Sequence, residues 1–350
     1  MSINLKIANR EIGNGNPCFI IAELSANHNQ DISLALQTIK AAKDSGADAI
    51  KLQTYTAETL TLKSDKKYFK INHGTVWDGT TLYDLYEKAY TPWEWHKQLF
   101  DYAEELGLIC FSSPFDCTAV DFLESLNTPA YKIASPEITD IPLIEYVAKI
   151  GKPIIISTGI ARLEDIELAI DTCRNVGNDQ IVLLKCTSEY PTSFERVNLR
   201  TMVNMQDTFG TLVGLSDHTM GISVPIAAVT LGAIVIEKHL IIDRSLGGPD
   251  SSFSLNAKEF SLMVTAVREA EMSLGKITYE LDEKRKKIRQ FSRSLFIVED
   301  INKGELFSSK NLRSIRPGHG LHPKYMKEIL GRVATTNIEA GTPLSWELIT

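Results

Sequence analysis

Two histidines follow two consecutive apolar runs near the middle of the chain. Residues 214–218 read Gly-Leu-Ser-Asp-His and residues 235–239 read Val-Ile-Glu-Lys-His. A buried strand reads as a continuous apolar run, so His218 and His239 are expected where strands end and side chains leave the core. Two imidazoles at neighbouring strand ends form a metal site with open coordination positions. A single histidine is more often a hydrogen-bonded strand cap, but the pair, each close to a carboxylate, favours the metal site.

Lysines, small hydroxyl residues and glutamates stand at the other expected strand ends. The lysines are Lys51, Lys132, Lys185 and Lys238. With the serines and threonines beside them they are the donors that a phosphate or carboxylate needs, so we predict that all four converge on one anion-binding mouth. Glu23 and Glu137 are predicted to supply acid–base function there, and each can also be a partner for a nearby lysine.

Eight apolar runs alternate with eight segments of helical spacing in the first three quarters of the chain. The expected strands are 18–22, 47–53, 108–112, 130–134, 153–157, 181–186, 212–215 and 233–236. Eight such units in roughly 260 residues predict a (β/α)8 TIM barrel, whose reactive groups gather at the carboxyl ends of the strands. An open doubly wound sheet is the alternative, but no G-x-G-x-x-G follows the first strand. A polar and aromatic insertion occupies residues 54–91.

The alternation of apolar runs and helical segments ends near residue 281. A charge run at 282–287 indicates a solvated helix or linker. Beyond it, residues 298–306 and 335–344 both read as a strand, an Ile-x-x-Gly turn and a return strand. We therefore predict a catalytic barrel at residues 1–280, followed by a linker and a small, mainly β domain at 281–350.

Composition narrows the class of protein. The 350 residues carry a net charge of -7, which gives no indication of nucleic-acid binding. No apolar run reaches membrane-spanning length and the N-terminus lacks a signal-peptide core, so we expect a cytoplasmic protein without a membrane partner. Several of the five cysteines lie within apolar runs and are expected to be reduced core thiols.

Four motifs resemble the sialic acid synthase family. They are Ile-Ala-Glu-Leu-Ser-Ala-Asn-His at 21–28, Tyr-Lys-Ile-Ala-Ser-Pro-Glu at 131–137, Leu-Lys-Cys-Thr-Ser-Glu-Tyr-Pro-Thr at 184–192 and Arg-Pro-Gly-His-Gly at 316–320. The resemblance implies condensation of phosphoenolpyruvate with an N-acetylated amino sugar, giving a nine-carbon 2-keto acid and phosphate. It also implies a C-terminal domain of the type III antifreeze-like (SAF) kind. In the implied domain-swapped homodimer, this domain lids the partner subunit's active site.

The resemblance assigns roles to individual residues. His218 and His239 match ligands of a divalent metal, Mn²⁺ in the first place, with Mg²⁺ or Co²⁺ as alternatives. The positions that match the phosphoenolpyruvate site are Lys51, Ser113, Lys132, Ser135, Ser157, Ser188 and Ser216. The sugar-side positions are Gln53, Tyr190, Asp250 and Arg316, the last contributed by the partner subunit. The residues expected to be catalytic are Glu23, Glu137 and Asp250.

Departures from the family pattern bear on the sugar. Ser188 stands where sialic acid synthases commonly have Asn, and Lys238 where they commonly have Arg. Together with the stretches 77–87 and 91–96, these differences favour the branch of the family that uses a diacetamido-trideoxy sugar rather than N-acetylmannosamine.

Two other functions remain open at this point. One is a Schiff-base aldolase that uses Lys132 or Lys185 with pyruvate and needs no metal. The other is a binding protein whose tail domain recognises ice or carbohydrate. The second is disfavoured because an ice-binding face is flat and poor in charge, whereas the tail carries several lysines and arginines.

Overall fold

The structure is a computed structural model that describes residues 4–13, 15–72 and 74–350. The chain divides into two compact units, the first ending at Gly275 and the second running from Lys276 to Thr350. In the described ranges, no helix combines the length and the apolar character needed to cross a membrane.

The first unit is a closed barrel preceded by an antiparallel hairpin of β1 (Asn4–Ile7) and β2 (Arg10–Gly13). The barrel strands are β3 (Phe19–Glu23), β4 (Ala49–Thr54), β5 (Ile109–Pro114), β6 (Tyr131–Ile133), β7 (Ile154–Ser157), β8 (Ile181–Cys186), β9 (Leu212–Asp217) and β10 (Val235–Ile241). They pair in parallel in chain order, and β10 pairs with both β9 and β3, which closes the barrel. A short strand, β11 (Leu255–Asn256), extends β10. The predicted TIM barrel is confirmed.

Helices cover the outside of the barrel, except for two that belong to the insertion at residues 54–91. The helices are α1 (Ile32–Asp44), α2 (Ala57–Leu60), α3 (Leu82–Ala89), α4 (Trp93–Glu105), α5 (Cys117–Ser125), α6 (Ile141–Ala148), α7 (Leu163–Asn175), α8 (Arg200–Phe209), α9 (Ser223–Thr230) and α10 (Ala257–Leu274). Side-chain caps fix several starts: Asp31 accepts from the Ser33 backbone at α1, and Asn256 and Glu259 form a capping box at α10.

Alternation along the strands divides the barrel into two apolar layers. Inward side chains such as Phe19, Ile21, Phe111 and Leu184 fill the lower part of the barrel. Outward side chains pack against the helices in a larger cluster. Because successive residues of a strand point to opposite sides, this parity also decides which polar residues reach the barrel interior.

The last two barrel strands are longer than the sequence suggested. The prediction that the polar clusters follow the strand ends is wrong for residues 216, 217 and 237–239, which lie inside β9 and β10. Glu237 is in register with Ser216, and Lys238 with Asp217. A strand tolerates these polar residues because one set faces the barrel interior and the other forms an ion pair on the outside.

The second unit is small and mostly irregular. It begins with the exposed helix α11 (Glu283–Arg289) and contains the antiparallel pair β12 (Ser294–Ile297) and β13 (Leu312–Ile315). A short helix, α12 (Met326–Ile329), follows. The two similar segments meet at Ile301 and Ile338, whose backbones exchange hydrogen bonds of 2.9 and 2.8 Å. The charge run does form a solvated helix, as the sequence indicated.

Candidate active site

The carboxyl ends of the barrel strands surround a cavity of about 360 Å³. Most residues predicted for the site line it: Glu23, Lys51, Gln53, Lys132, Ser135, Glu137, Ser157, Tyr190, Ser216, His218, His239 and Asp250. They come from β3, β4, β6, β7, β9 and β10 and from the loops that follow strands. The position agrees with the general rule that TIM-barrel enzymes work at this face.

Two residues of the first unit that were predicted to bind phosphoenolpyruvate do not line the cavity. Ser113 lies behind Lys51 and accepts a hydrogen bond of 3.3 Å from its Nζ. The Ser188 hydroxyl lies close to Gly159 and Cys186, at the side of the cavity wall. Arg316 belongs to the second unit, so its assignment to the sugar stays a prediction.

The two histidines lie side by side, with ring centroids 5.3 Å apart. The Nδ1 atom of His218 is 3.1 Å from the Thr187 carbonyl oxygen, to which it donates when it carries the proton. This contact leaves Nε2 of His218 as the nitrogen that can bind a metal, and a carbonyl partner of this kind is typical of metal-binding histidines. Nδ1 of His239 is buried and has no hydrogen-bond partner among the described residues.

The histidine pair fits a divalent metal. Burial, followed by the neighbouring His218, holds the pKa of His239 well below its ordinary value, so the ring is neutral as a metal ligand must be. Within the part of the chain that the structure describes, no group of three or more His, Cys, Asp and Glu side chains is arranged to hold a metal. The two imidazoles are the side chains that would hold a metal here.

Two lysines and two glutamates form an ionic cluster at the floor of the cavity. Nζ of Lys51 lies 2.5 Å from Glu23 and 3.9 Å from Glu237, and Nζ of Lys132 lies 3.7 Å from Glu237. All four side chains are almost completely buried. The sequence had placed Glu237 near the metal site without giving it a role. Strand parity is the signal that would have found it, since it lies two residues before His239 on one strand.

Burial also sets the proton affinity of the two predicted acid–base residues. It raises the pKa of Glu23 to about 7, against the opposing effect of Lys51. Burial likewise raises the pKa of Glu137 to about 7. The Oε2 atom of Glu137 has no hydrogen-bond partner in residues 4–13, 15–72 and 74–350. Both carboxyls can therefore exchange protons near neutral pH, as general acids and bases require.

A chain of hydrogen bonds connects Glu23 to Asp250. Nε2 of Gln53 donates to Glu23 at 3.1 Å and to the Ser25 hydroxyl at 2.9 Å, and Ser25 donates to Asp250 at 2.5 Å. Burial raises the pKa of Asp250, although the bond from Ser25 opposes this effect. The arrangement fixes Gln53 and Asp250 beside His239, whose Nδ1 is 4.0 Å from the Asp250 carboxylate. Ser25 was not among the predicted site residues.

The prediction that four lysines converge on the mouth is wrong. Nζ of Lys185 donates to the backbone oxygen of Cys186 at 2.5 Å and to the Thr187 hydroxyl at 3.1 Å. Nζ of Lys238 lies 2.5 Å from Asp217, on the outer side of the barrel wall. Both lysines stand one position out of phase with the inward-facing residues of their strands, so only Lys51 and Lys132 enter the cavity from the strands.

Aromatic residues pack over the histidines. Tyr190 lies 4.5 Å from His218 and 5.3 Å from Trp77, measured between ring centroids, and Phe253 lies 5.0 Å from His239. The indole N–H of Trp77 donates to the Pro249 carbonyl at 2.9 Å. Trp77 and Phe253 were not assigned to the site from sequence, although Trp77 lies in the stretch 77–87 that favoured the diacetamido-trideoxy branch of the family.

Known proteins are similar to this chain in sequence. Residues 38–279 match the NeuB family and residues 292–350 match the SAF domain. The chain is 51% identical over 330 residues to the pseudaminic acid synthase of Helicobacter pylori, covering 94% of this chain and 97% of that protein. It is 40% identical over 343 residues to the N,N'-diacetyllegionaminic acid synthase of Legionella pneumophila, covering 96% of each.

Solved structures of related proteins are similar to this chain in fold. The spore coat polysaccharide biosynthesis protein SpsE of Bacillus subtilis has a TM-score of 0.69 and 34% identity, covering 99% of each chain. The N-acetylneuraminic acid synthetase of Leptospira borgpetersenii, in complex with citrate, has a TM-score of 0.73 and 31% identity, covering 82% of this chain and 95% of that one. The chain belongs to the NeuB family, with a SAF domain at its C-terminal end.

Proposed function

We propose that the chain catalyses the reaction of pseudaminic acid synthases. Phosphoenolpyruvate condenses with 2,4-diacetamido-2,4,6-trideoxy-L-altrose, which gives pseudaminic acid and phosphate. The observation that carries this proposal is identity of 50–51% over nearly the whole chain to pseudaminic acid synthases of Helicobacter pylori and Campylobacter jejuni. The identity to legionaminic acid synthases is lower, at 39–40%.

The floor of the cavity suits phosphoenolpyruvate. Lys51 and Lys132 supply positive charge, and Ser135, Ser157 and Ser216 supply hydroxyl donors around them. The Ser157 hydroxyl is buried without a hydrogen-bond partner among the described residues, so its donor is free for a substrate oxygen. Before substrate arrives, Glu237 balances both lysines and accepts a hydrogen bond of 3.0 Å from Ser216.

The chemistry follows from the two substrates. The methylene carbon of phosphoenolpyruvate attacks the aldehyde carbon of the open-chain sugar, which leaves positive charge at C2 of the former phosphoenolpyruvate. Water adds to this carbon and loses a proton, and the tetrahedral intermediate expels phosphate by cleavage of its C–O bond. Glu23 and Glu137 accept and return the protons. Holding both substrates in attack geometry supplies several kcal/mol of the rate enhancement.

A divalent metal, Mn²⁺ in the first place, is part of the proposal. His218 and His239 would hold it, and when bound it would supply Lewis-acid polarisation of the aldehyde oxygen. The support is the buried, unpartnered Nδ1 atom of His239 and the carbonyl contact that orients His218. Mg²⁺ and Co²⁺ are alternative occupants.

A shared active site is also proposed, on the resemblance alone. In a domain-swapped homodimer, Arg316 of one subunit would reach the sugar bound by the other. Mixing inactive Arg316→Ala and His239→Ala proteins under conditions of subunit exchange should restore part of the activity, because one intact site forms per mixed dimer. Lack of recovery in verified mixed dimers would place Arg316 outside the partner's site.

The deciding experiment measures phosphate release from phosphoenolpyruvate with Mn²⁺. The reaction is run with 2,4-diacetamido-2,4,6-trideoxy-L-altrose, with N-acetylmannosamine and with the legionaminic acid precursor, each with and without EDTA. EDTA-sensitive release with the altrose derivative alone is the expected result. Release with another sugar would keep the family and change the substrate. Condensation of pyruvate without phosphate release or metal would instead support the Schiff-base aldolase.

A further inference from the structure

The outer half of the cavity is built by the insertion between β4 and α4. Its apolar lining, which we call the apolar wall, consists of Leu60, Ile71, Leu82, Leu85, Tyr86 and Ala89. Four of these residues belong to α3 at positions i, i+3, i+4 and i+7, which places them on one face of the helix. The helix begins at a Thr81 cap and exposes Asp84, Glu87 and Lys88 on its other side. An amphipathic helix thus turns its apolar face toward the substrate cavity.

The apolar wall differs in character from the floor of the cavity. The wall residues are buried or half-buried, whereas three other insertion residues that line the cavity, Tyr68, Lys70 and Thr75, are exposed. The floor, in contrast, is formed by buried charges and hydroxyl groups. A ligand that spans the cavity therefore meets polar partners at one end and hydrocarbon at the other.

The sugar of the proposed function, like the cavity, has a polar end and an apolar end. Its aldehyde must lie at the floor, beside the histidines and the phosphoenolpyruvate, and C6 is the opposite end of its carbon chain. In a 2,4,6-trideoxy sugar this end is a methyl group. Resting on that function, we propose that the apolar wall binds the C6 methyl group and thereby selects 6-deoxy sugars over their 6-hydroxy counterparts. A hydroxyl packed against the hydrocarbon side chains of Leu82, Leu85 and Ala89 would lose its water without gaining a partner.

The size of the expected preference has a physical bound. An apolar pocket rejects an isostere that adds one hydroxyl by about 10²-fold at most. We therefore expect kcat/KM for the 6-deoxy sugar to exceed that for the 6-hydroxy sugar by roughly 10- to 100-fold. A larger ratio would require a clash, which a half-buried leucine helix does not impose.

The test compares two sugars that differ at C6 alone, 2,4-diacetamido-2,4,6-trideoxy-L-altrose and 2,4-diacetamido-2,4-dideoxy-L-altrose. Phosphate release is measured for the wild type, for Leu85→Asn and for the control Leu62→Asn. Leu62 belongs to the same insertion but is 64% exposed and does not line the cavity. Leu85→Asn should reduce the preference for the 6-deoxy sugar by about tenfold, whereas Leu62→Asn should keep it.

The possible outcomes separate the role of the apolar wall from the proposed function. Equal kcat/KM for the two sugars in the wild type, or an unchanged preference in Leu85→Asn, would overturn the role of the wall and leave the proposed function intact. Absence of phosphate release with either sugar would overturn the proposed function itself. If Leu85→Asn does not fold, as judged by its thermal unfolding, Leu85→Ala serves instead. Its loss should then fall on the 6-deoxy sugar and spare the 6-hydroxy sugar.

Discussion

Charged and polar groups on the two sides of strands β9 and β10 differ in how completely they are paired. On the outer side, Lys238 pairs with Asp217 at 2.5 Å and also donates to the Thr219 carbonyl at 2.6 Å. The Asp217 carboxylate in turn accepts from the Thr219 backbone and hydroxyl at 3.0 and 3.1 Å. On the cavity side, Glu237 meets its lysines at 3.7 and 3.9 Å, and Nδ1 of His239 has no partner among the described residues.

The difference separates stability from function within one pair of strands. Each outer-side charge has a close ionic partner and further hydrogen bonds, as buried charges in a stable fold require. Cavity-side groups keep capacity to spare, and spare capacity is what a substrate or a metal can take up. Incomplete pairing at a site is a cost to folding that function requires. Substitutions on the two sides should therefore have opposite signatures.

The largest expected effect is on the cavity side, at His239. His239→Ala should lower kcat/KM by at least about 10³-fold, because Lewis-acid stabilisation is worth several kcal/mol. It should also abolish Mn²⁺ binding, measured by electron paramagnetic resonance titration, without a large change in unfolding. The control is His96→Gln, since His96 is also buried but bonds to Thr54 and does not line the cavity. Retention of Mn²⁺ by His239→Ala would remove this residue from the metal site.

The lysines give the next contrast. Lys132→Met removes a buried charge from the floor and should raise KM for phosphoenolpyruvate by about 10²-fold, as expected for a desolvated ionic contact. Lys185→Met should leave KM unchanged, because Nζ of Lys185 bonds to the Cys186 backbone oxygen and the Thr187 hydroxyl, and Lys185 does not line the cavity. Initial-rate measurements at saturating sugar separate the two. Equal effects at both positions would mean that strand parity does not decide which lysines bind the anion.

On the outer side, Lys238→Met should act on stability. Removing one member of a buried pair leaves Asp217 uncompensated, and we expect a loss of about 3 kcal/mol in the free energy of unfolding. The double variant Asp217→Asn with Lys238→Met should recover part of this loss, because the amide oxygen can still accept from Thr219. Urea unfolding measures both variants. Activity per folded molecule should be unchanged, and a selective loss of kcat would contradict the assignment of this pair to stability.

The barrel was predictable from sequence because its strand–helix alternation is regular. The ends of β9 and β10 were not, since a criterion based on apolar runs stops a strand at its first polar residue. Inside a barrel with a polar cavity, that residue can face the cavity and the strand continues. The same error placed Lys238 at the mouth, whereas Lys185 was placed there although it lies inside the expected strand 181–186. Strand parity would have excluded both lysines and included Glu237.

The insertion at residues 54–91 shows a different limit. Its composition is polar and aromatic, and no period extends along its whole length, so no surface could be assigned to it. The leucine, tyrosine and alanine pattern of α3 is a local signal that could have been read. Even then, the sequence does not indicate that this face turns toward the cavity, because that depends on the packing of Tyr86 against Tyr55.

Glu137 extends the comparison between charges that stabilise the fold and charges that serve the site. Removal of this carboxyl should stabilise the protein. Burial raises the pKa of Glu137 from 4.5 to about 7. Between these pH values the folded state binds a proton that the unfolded state lacks, so the wild type loses stability as the pH rises from about 4.5 to 7. Glu137→Gln does not titrate and escapes this loss.

The advantage of Glu137→Gln over the wild type should be near zero at pH 4 and grow to about 2 kcal/mol at pH 8. This figure is below the full value of the shift because the side chain is only partly buried. Urea unfolding across the pH range measures it, with Glu164→Gln on the exposed surface of α7 as the matched control. The variant should at the same time lose activity, since its amide cannot exchange protons. If Glu137→Gln is instead less stable than the wild type at pH 8, the Glu137 carboxyl stabilises the fold as the outer-side charges do, and the prediction is wrong.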